Sequence, residues 1–212
     1  MKISYCITVY NEVEEFKRLL THLLKEVQSQ DEIIILCDTR GGKSEELESY
    51  CKPYLNQVEF YEASFGGHFA DWKNSLSTYC SGEYIFQLDA DEVPSASLIQ
   101  SLPEIFRLSG DVDVLFVPRI NTVKGITQEH IEKWGWRLDA RGWINFPDYQ
   151  QRIYKNTPDI KWVNKVHEVL SGYKSYASLP QNENYSLIHE KTIERQEKQN
   201  ELYTNLATYN SI

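Results

Sequence analysis

Short aliphatic runs and amphipathic stretches alternate along the first ninety residues. Residues 3–10 read as a short buried strand, and Phe16, Leu19, Leu20, Leu23, Leu24 and Val27 follow at helical spacing, defining a single apolar stripe. Residues 32–37 predict a second strand. Ser44 is placed to cap a helix carrying Leu47, Tyr50 and Cys51, with Pro53 beyond its end. Residues 58–61 read as a third short strand. Phe69, Trp72, Leu76 and Tyr79 mark one face of the next helix, and Gly82 fits its exit into a strand over residues 84–88. This alternation predicts an α/β fold: a mostly parallel, doubly wound sheet with helices on both faces and right-handed crossovers.

The pattern loosens further on. Pro94-Ser95 opens a helical stretch, Pro103 a second turn or helix, and residues 112–118 another strand. Residues 121–170 are rich in aromatics and Arg/Lys, including Trp134, Trp136, Trp143, Phe146, Tyr149 and Trp162, with weak periodicity. Such a segment suits a pocket wall built on a rigid sheet. Within it, Gly125, Gly135 and Gly142 among bulky aromatics suggest a lid over residues 121–145 that orders on ligand binding. From Glu190 the chain reads as a polar helix with Glu194 and Lys198 at i, i+4. Ile193, Leu202, Tyr203 and Leu206 are suited to dock it on the body or on a second subunit. The expected organisation is one domain over 1–212, in three parts: 1–95, 96–189 and 190–212.

Composition narrows the class. A formal charge of −9 over 212 residues disfavours a general nucleic-acid binder, which needs a basic face to displace counterions. Cys6, Cys37, Cys51 and Cys80 lack C-x-x-C spacing, so neither a zinc site nor a disulfide framework is expected. The amino terminus runs straight into a strand without a signal-peptide core, and no apolar stretch has membrane-spanning length. A soluble cytoplasmic protein is the expectation.

Candidate chemistry concentrates at one place. The run Ile85-Phe86-Gln87-Leu88-Asp89-Ala90-Asp91-Glu92 is a buried-strand pattern ending in three carboxylates. Acids clustered at the carboxyl end of a sheet strand repel one another and favour a divalent cation with oxygen ligands, and open α/β sheets bind ligands at that end. The run reads as a metal and phosphate site, with Glu92 as the charge at a helix N-terminus rather than an orienting group.

Four segments in order, Ile7-Thr8-Val9-Tyr10-Asn11-Glu12, Ile33-Ile34-Ile35-Leu36-Cys37-Asp38, Lys73-Asn74 before Gly82-Glu83-Tyr84, and Leu88-Asp89-Ala90-Asp91-Glu92, resemble family 2 glycosyltransferases of the GT-A fold. The resemblance is firm over residues 3–95. Beyond that, Lys165-Val166-His167-Glu168 and His189 look like its acceptor-side elements. The resemblance implies a nucleotide-sugar-binding first half and an acceptor-side second half, a UDP-sugar donor, a glycan acceptor, inversion at the anomeric carbon, and Mn²⁺ or Mg²⁺. It further implies that Tyr10, Glu12, Asp38, Lys73, Asn74 and Asp89 serve the nucleotide-sugar, and that Asp89, Asp91 and His189 serve the metal. Glu168 is the candidate base and Asp148 its rival. Cys37-Asp38-Thr39-Arg40 departs from the Asp-Asp-Gly-Ser type of run common in the family, which leaves the register of Asp38 open by one position.

Each residue has a plainer reading. Tyr10 suits packing, Asp38 a turn, Lys73 the surface on spacing alone, His189 a structural strand end, and Arg137, Arg141, Arg152 and Lys165 an ordinary charged surface. Two other functions share this frame. A sugar-phosphate nucleotidyltransferase needs a Gly-rich phosphate loop where the chain has Asn11-Glu12-Val13-Glu14, and a non-catalytic carbohydrate-binding protein would not need the acidic triplet.

Overall fold

The computed structural model describes residues 1–208, with side chains as far as Glu201. The predicted alternation is present as β1 (Ile3–Val9), α1 (Val13–Glu26), β2 (Glu32–Asp38), α2 (Ser44–Cys51), β3 (Val58–Ala63), α3 (Phe69–Ser77) and β4 (Tyr84–Asp89). β1, β2, β3 and β4 pair in parallel, so their carboxyl ends share one edge. Side chains alternate along the strands. Ile3, Tyr5, Ile7, Ile33, Ile35, Phe86 and Leu88 pack toward the face bearing α1, whereas Cys6, Ile34, Leu36 and Ile85 join Ala70 and Leu76 of α3. Phe16, Leu19, Leu20 and Leu23 are fully buried on α1, each contributing about 2 kcal/mol by area removed from water.

The second half differs from its sequence pattern in several places. A short strand, β5 (Glu92–Pro94), separates the acidic turn from α4 (Ala96–Ser109), which Ser95 caps. Pro103 lies inside α4 rather than opening a new helix, because Leu98, Ile99, Leu102 and Phe106 bury one stripe on both sides of it. Ser44 begins α2 without a side-chain cap. The strand expected over residues 112–118 is present as β6 (Val114–Val117), and the weakly periodic region with its flanks holds β7 (Arg119–Lys124), α5 (Gln128–Trp134), β8 (Gln150–Lys155), β9 (Lys161–Val163), β10 (Val169–Ser171) and β11 (Tyr176–Ser178). Among the described residues the main sheet runs β11-β6-β8-β4-β1-β2-β3, with β8 antiparallel to β4 and β6.

A strand, not a helix, follows Glu190. β12 (Leu187–Thr192) continues past His189, and the polar helix α6 (Ile193–Thr208) begins after it. The docking role of Leu202, Tyr203 and Leu206 lies outside the described side chains. β12 sits between β5 and β7 in a second sheet, with His189 opposite Glu92 on one side and Asn121 on the other. That row lies directly after the turn at the end of β4. No described helix is long and apolar enough to cross a membrane.

Candidate functional site

The parallel strands bring Thr8, Asp38 and Asp89 to one edge. Asp89 accepts hydrogen bonds from Thr8 Oγ1 (3.2 Å) and Arg152 Nη2 (2.8 Å) and lies 3.4 Å from Lys73 Nζ. Burial opposes its ionisation, but Lys73 and Arg152 prevail and hold the carboxyl well below its ordinary range. Asp91 is treated the same way by a separate set. Burial raises its pKa, and His189 (3.3 Å), Lys191 (3.7 Å) and Arg195 (3.3 Å) drive it far down. All three contact Oδ2.

Glu92 is not a solvated helix charge. It is completely buried, 2.7 Å from both Arg119 Nη1 and Arg152 Nη2, and it also accepts the backbone N–H of Asp89 at 3.4 Å. Burial again opposes the charge and Arg152 and Arg119 outweigh it, so the carboxyl stays ionised and orients the turn. Arg152 is correspondingly a buried residue rather than a surface one, at 5% exposure. Arg141 fits its surface reading, stacked 3.3 Å over Trp143 and paired with Asp139.

A continuous polar chain runs through the site. Asn121 Nδ2 donates to Asp148 (2.6 Å), so its Oδ1 must accept from His189 Nδ1 (2.7 Å), which places the proton on Nδ1 and turns Nε2 toward Asp91. Asp148 also receives Arg119 Nε and Nη2 (2.9 and 2.8 Å) and Gln150 Nε2 (3.0 Å); burial is outweighed by Arg119 and Asn121, and its carboxyl sits below the ordinary value. At the other end, Lys73 is 2% exposed, lies 4.8 Å over the Trp162 ring and donates to Glu168 Oε1 at 2.6 Å. Lys73 therefore sits on the buried face of α3, between Asp89 and Glu168, not on the surface.

Other predicted positions have mixed settings. Both ends of the Asn74 amide are bonded to the Trp162 backbone (2.9 Å each), fastening β9 to α3. Phe69 N–H donates to Lys165 O (3.0 Å), a second tie to the loop before Glu168. Asp38 is buried and receives Arg40 side chain and backbone and the Phe65 N–H, so its oxygens are already engaged. Tyr10 is 39% exposed, with Arg40 5.9 Å from its ring and Gly41 so close that a Cβ there would lie 2.8 Å from the ring edge. Glu12 accepts the N–H groups of Tyr10 and Asn11 and pairs with Arg195 at 3.3 Å.

Arg119, Asn121, Lys191 and Arg195 were not singled out from the sequence. Alternation over Leu187, His189 and Lys191 carries a signal for Lys191, since a strand continuing past His189 puts both on one face. No comparable local signal marks Arg119 or Asn121.

Carboxylate oxygens and one imidazole are the donor types that Mg²⁺ and Mn²⁺ accept, and a ring that donates Nδ1–H to a fixed carbonyl while presenting Nε2 has the form of a ligating histidine. Asp91 and His189 fit such an ion. Asp89 faces Arg152 and Lys73 instead, and among the described residues no three His, Cys, Asp or Glu side chains converge into a ready ligand set.

Solved structures share this architecture. S. aureus TarS 1-349 superposes with a TM-score of 0.64 at 14% identity, over 90% of this chain and 60% of that one. Its complex with UDP gives 0.61 at 15% identity, over 90% and 60%, and its complex with UDP-GlcNAc 0.55 at 15%, over 87% and 60%. The chain thus spans 60% of the length of TarS 1-349. At such identity the likeness establishes the fold, which is GT-A. The sequence model of "Glycosyl transferase family 2" matches residues 4–172, most of the chain, and the protein therefore belongs to glycosyl transferase family 2.

Proposed function

We propose that this protein transfers a sugar from a nucleoside diphosphate sugar, UDP-linked by default, to an acceptor hydroxyl with inversion. The carrying observation is the acidic turn at the carboxyl ends of the parallel strands, with the buried Lys73 between Asp89 and Glu168. Family membership supports the reaction class, and the UDP and UDP-GlcNAc complexes of TarS support the donor class.

Departure of a nucleoside diphosphate builds negative charge while the anomeric carbon becomes cation-like. Lys73, Arg152, Lys191 and Arg195 lie within reach of the two aspartates and supply fixed positive potential that needs no reorganisation. A divalent ion held by Asp91 and His189 would add Lewis-acid stabilisation. Glu168 takes the acceptor proton in this reading. Glu168 accepts from Lys73, whereas the Asp148 carboxylate receives Arg119, Asn121 and Gln150 and serves as a link in the chain to His189. Tyr10, half open at the mouth of β1, offers a ring face to the base.

A panel of nucleotide-sugars with Mn²⁺ or Mg²⁺ tests this. Metal-dependent nucleotide release supports transfer, pyrophosphate exchange would replace it with nucleotidyl transfer, and binding without turnover would leave a carbohydrate-binding role.

A further inference from the structure

Two of the four cysteines meet. Cys6 lies in the middle of β1, fully buried, and Cys80 lies half-buried just past the end of α3, 74 residues away. Their sulfurs are 2.9 Å apart, inside the usual separation of non-bonded sulfur atoms. Neither is free to drift. Cys6 is registered between Ile34 of β2 and Gln87 of β4. Cys80 donates its N–H to Ser77 O (3.2 Å), its carbonyl accepts Asn156 Nδ2 (3.1 Å), and its thiol faces Leu76 O at 3.7 Å.

We propose that Cys6 and Cys80 form a thiol–disulfide exchange site that takes a low-molecular-weight disulfide. The half-buried Cys80 sulfur, as thiolate, attacks one sulfur of RS–SR. The RS–SR bond breaks, RS⁻ leaves, and a mixed disulfide forms on Cys80. Cys6 then attacks Cys80 Sγ, its proton passes to the departing RS⁻, and the Cys6–Cys80 bond forms. Overall, two cysteine thiols are oxidised by two electrons and RS–SR is reduced to two RSH. Cys6 is fully buried and Cys80 only half-buried, so an incoming disulfide reaches Cys80 first and Cys6, 2.9 Å behind it, is placed to resolve the adduct. The bond would pin the end of α3 to β1, and α3 carries Lys73, Asn74 and, through them, Glu168 and β9. Cys37 and Cys51 serve as internal controls, since both are buried in the opposite face of the sheet.

The folded full chain is incubated with oxidised glutathione, quenched in acid, and alkylated with N-ethylmaleimide under denaturing conditions. Untreated protein is expected to carry four alkylated cysteines. Oxidised protein should carry two, with peptide mapping joining Cys6 to Cys80, and dithiothreitol should restore all four. Cys6→Ala should stop at a glutathione adduct on Cys80, and Cys80→Ser should remain fully alkylatable. Four alkylated cysteines after oxidant, a bond mapped to Cys37 or Cys51, or an unresolved adduct on Cys80 of the wild type would each overturn the proposal.

Discussion

Replacing Arg152 with Met tests the electrostatic frame of the site, because Arg152 is buried and bridges Asp89 and Glu92 at 2.8 and 2.7 Å. Methionine keeps most of the aliphatic volume and removes the charge. Breaking a buried ion pair by deleting one partner costs about 3–5 kcal/mol, since the other charge is left without compensation. Glu92 keeps Arg119 and Asp89 keeps Lys73, which puts the loss near the lower end, about 3 kcal/mol. For a chain of this size that is a fall of roughly 6–12 °C in melting temperature, at about 2–4 °C per kcal/mol. The pH dependence follows from the signs. Folding lowers the pKa of Glu92 and Asp89, so their contribution is present above the unfolded carboxylate values near 4 and fades as pH falls through the lower folded values. In Arg152→Met, burial of Glu92 is opposed by Arg119 without the help of Arg152, its carboxyl rises, and protonation relieves the variant earlier; the gap to wild type is widest at neutral pH and narrows below about pH 5. Thermal unfolding followed by fluorescence across pH measures this. Adding Glu92→Gln should recover part of the loss, because the pair is coupled. A variant melting within about 1 °C of wild type at neutral pH, or strict additivity in the double variant, would refute the reasoning.

Four further outcomes are expected. Asp91→Ala should abolish Mn²⁺-dependent binding of UDP in calorimetry, and unchanged uptake would move the ion elsewhere. Glu168→Gln should leave donor affinity within about twofold while cutting turnover by roughly 10²–10⁴, the range for a general base; retained transfer would shift that role to Asp148. Glu32 is held at a pKa of about 2 because Lys2, Ser4 and Ser81 outweigh its burial. Glu32→Gln should therefore lose stability fully at pH 6, with the difference shrinking as pH drops below about 4 toward the folded value, and a pH-independent difference would contradict the linkage. Protease cleavage within residues 121–145 should slow on adding UDP-sugar with Mn²⁺, and an unchanged rate would remove the lid.

Local pattern sufficed for the first ninety residues because each strand there is covered on both faces and each helix buries one stripe, so burial writes its own period into the sequence. The same logic made the carboxylates after Leu88 conspicuous, as charges where a buried run stops. What those carboxylates touch was decided by pairing at a distance. Glu92 reads as a solvated helix charge until β12 brings His189 opposite it and β7 and β8 deliver Arg119 and Arg152, 27 and 60 residues further along. Lys73 looks like a surface lysine until Trp162 and Glu168 close over it. β7, β8 and the part of β12 beyond His189 were obscured because their inward positions carry Asn121, Arg152 and Lys191, polar groups that serve the site and erase the hydrophobic alternation by which a strand is recognised. The residues that build the site are the ones that break the pattern, and only the pairing of both sheets shows how their charges compensate one another.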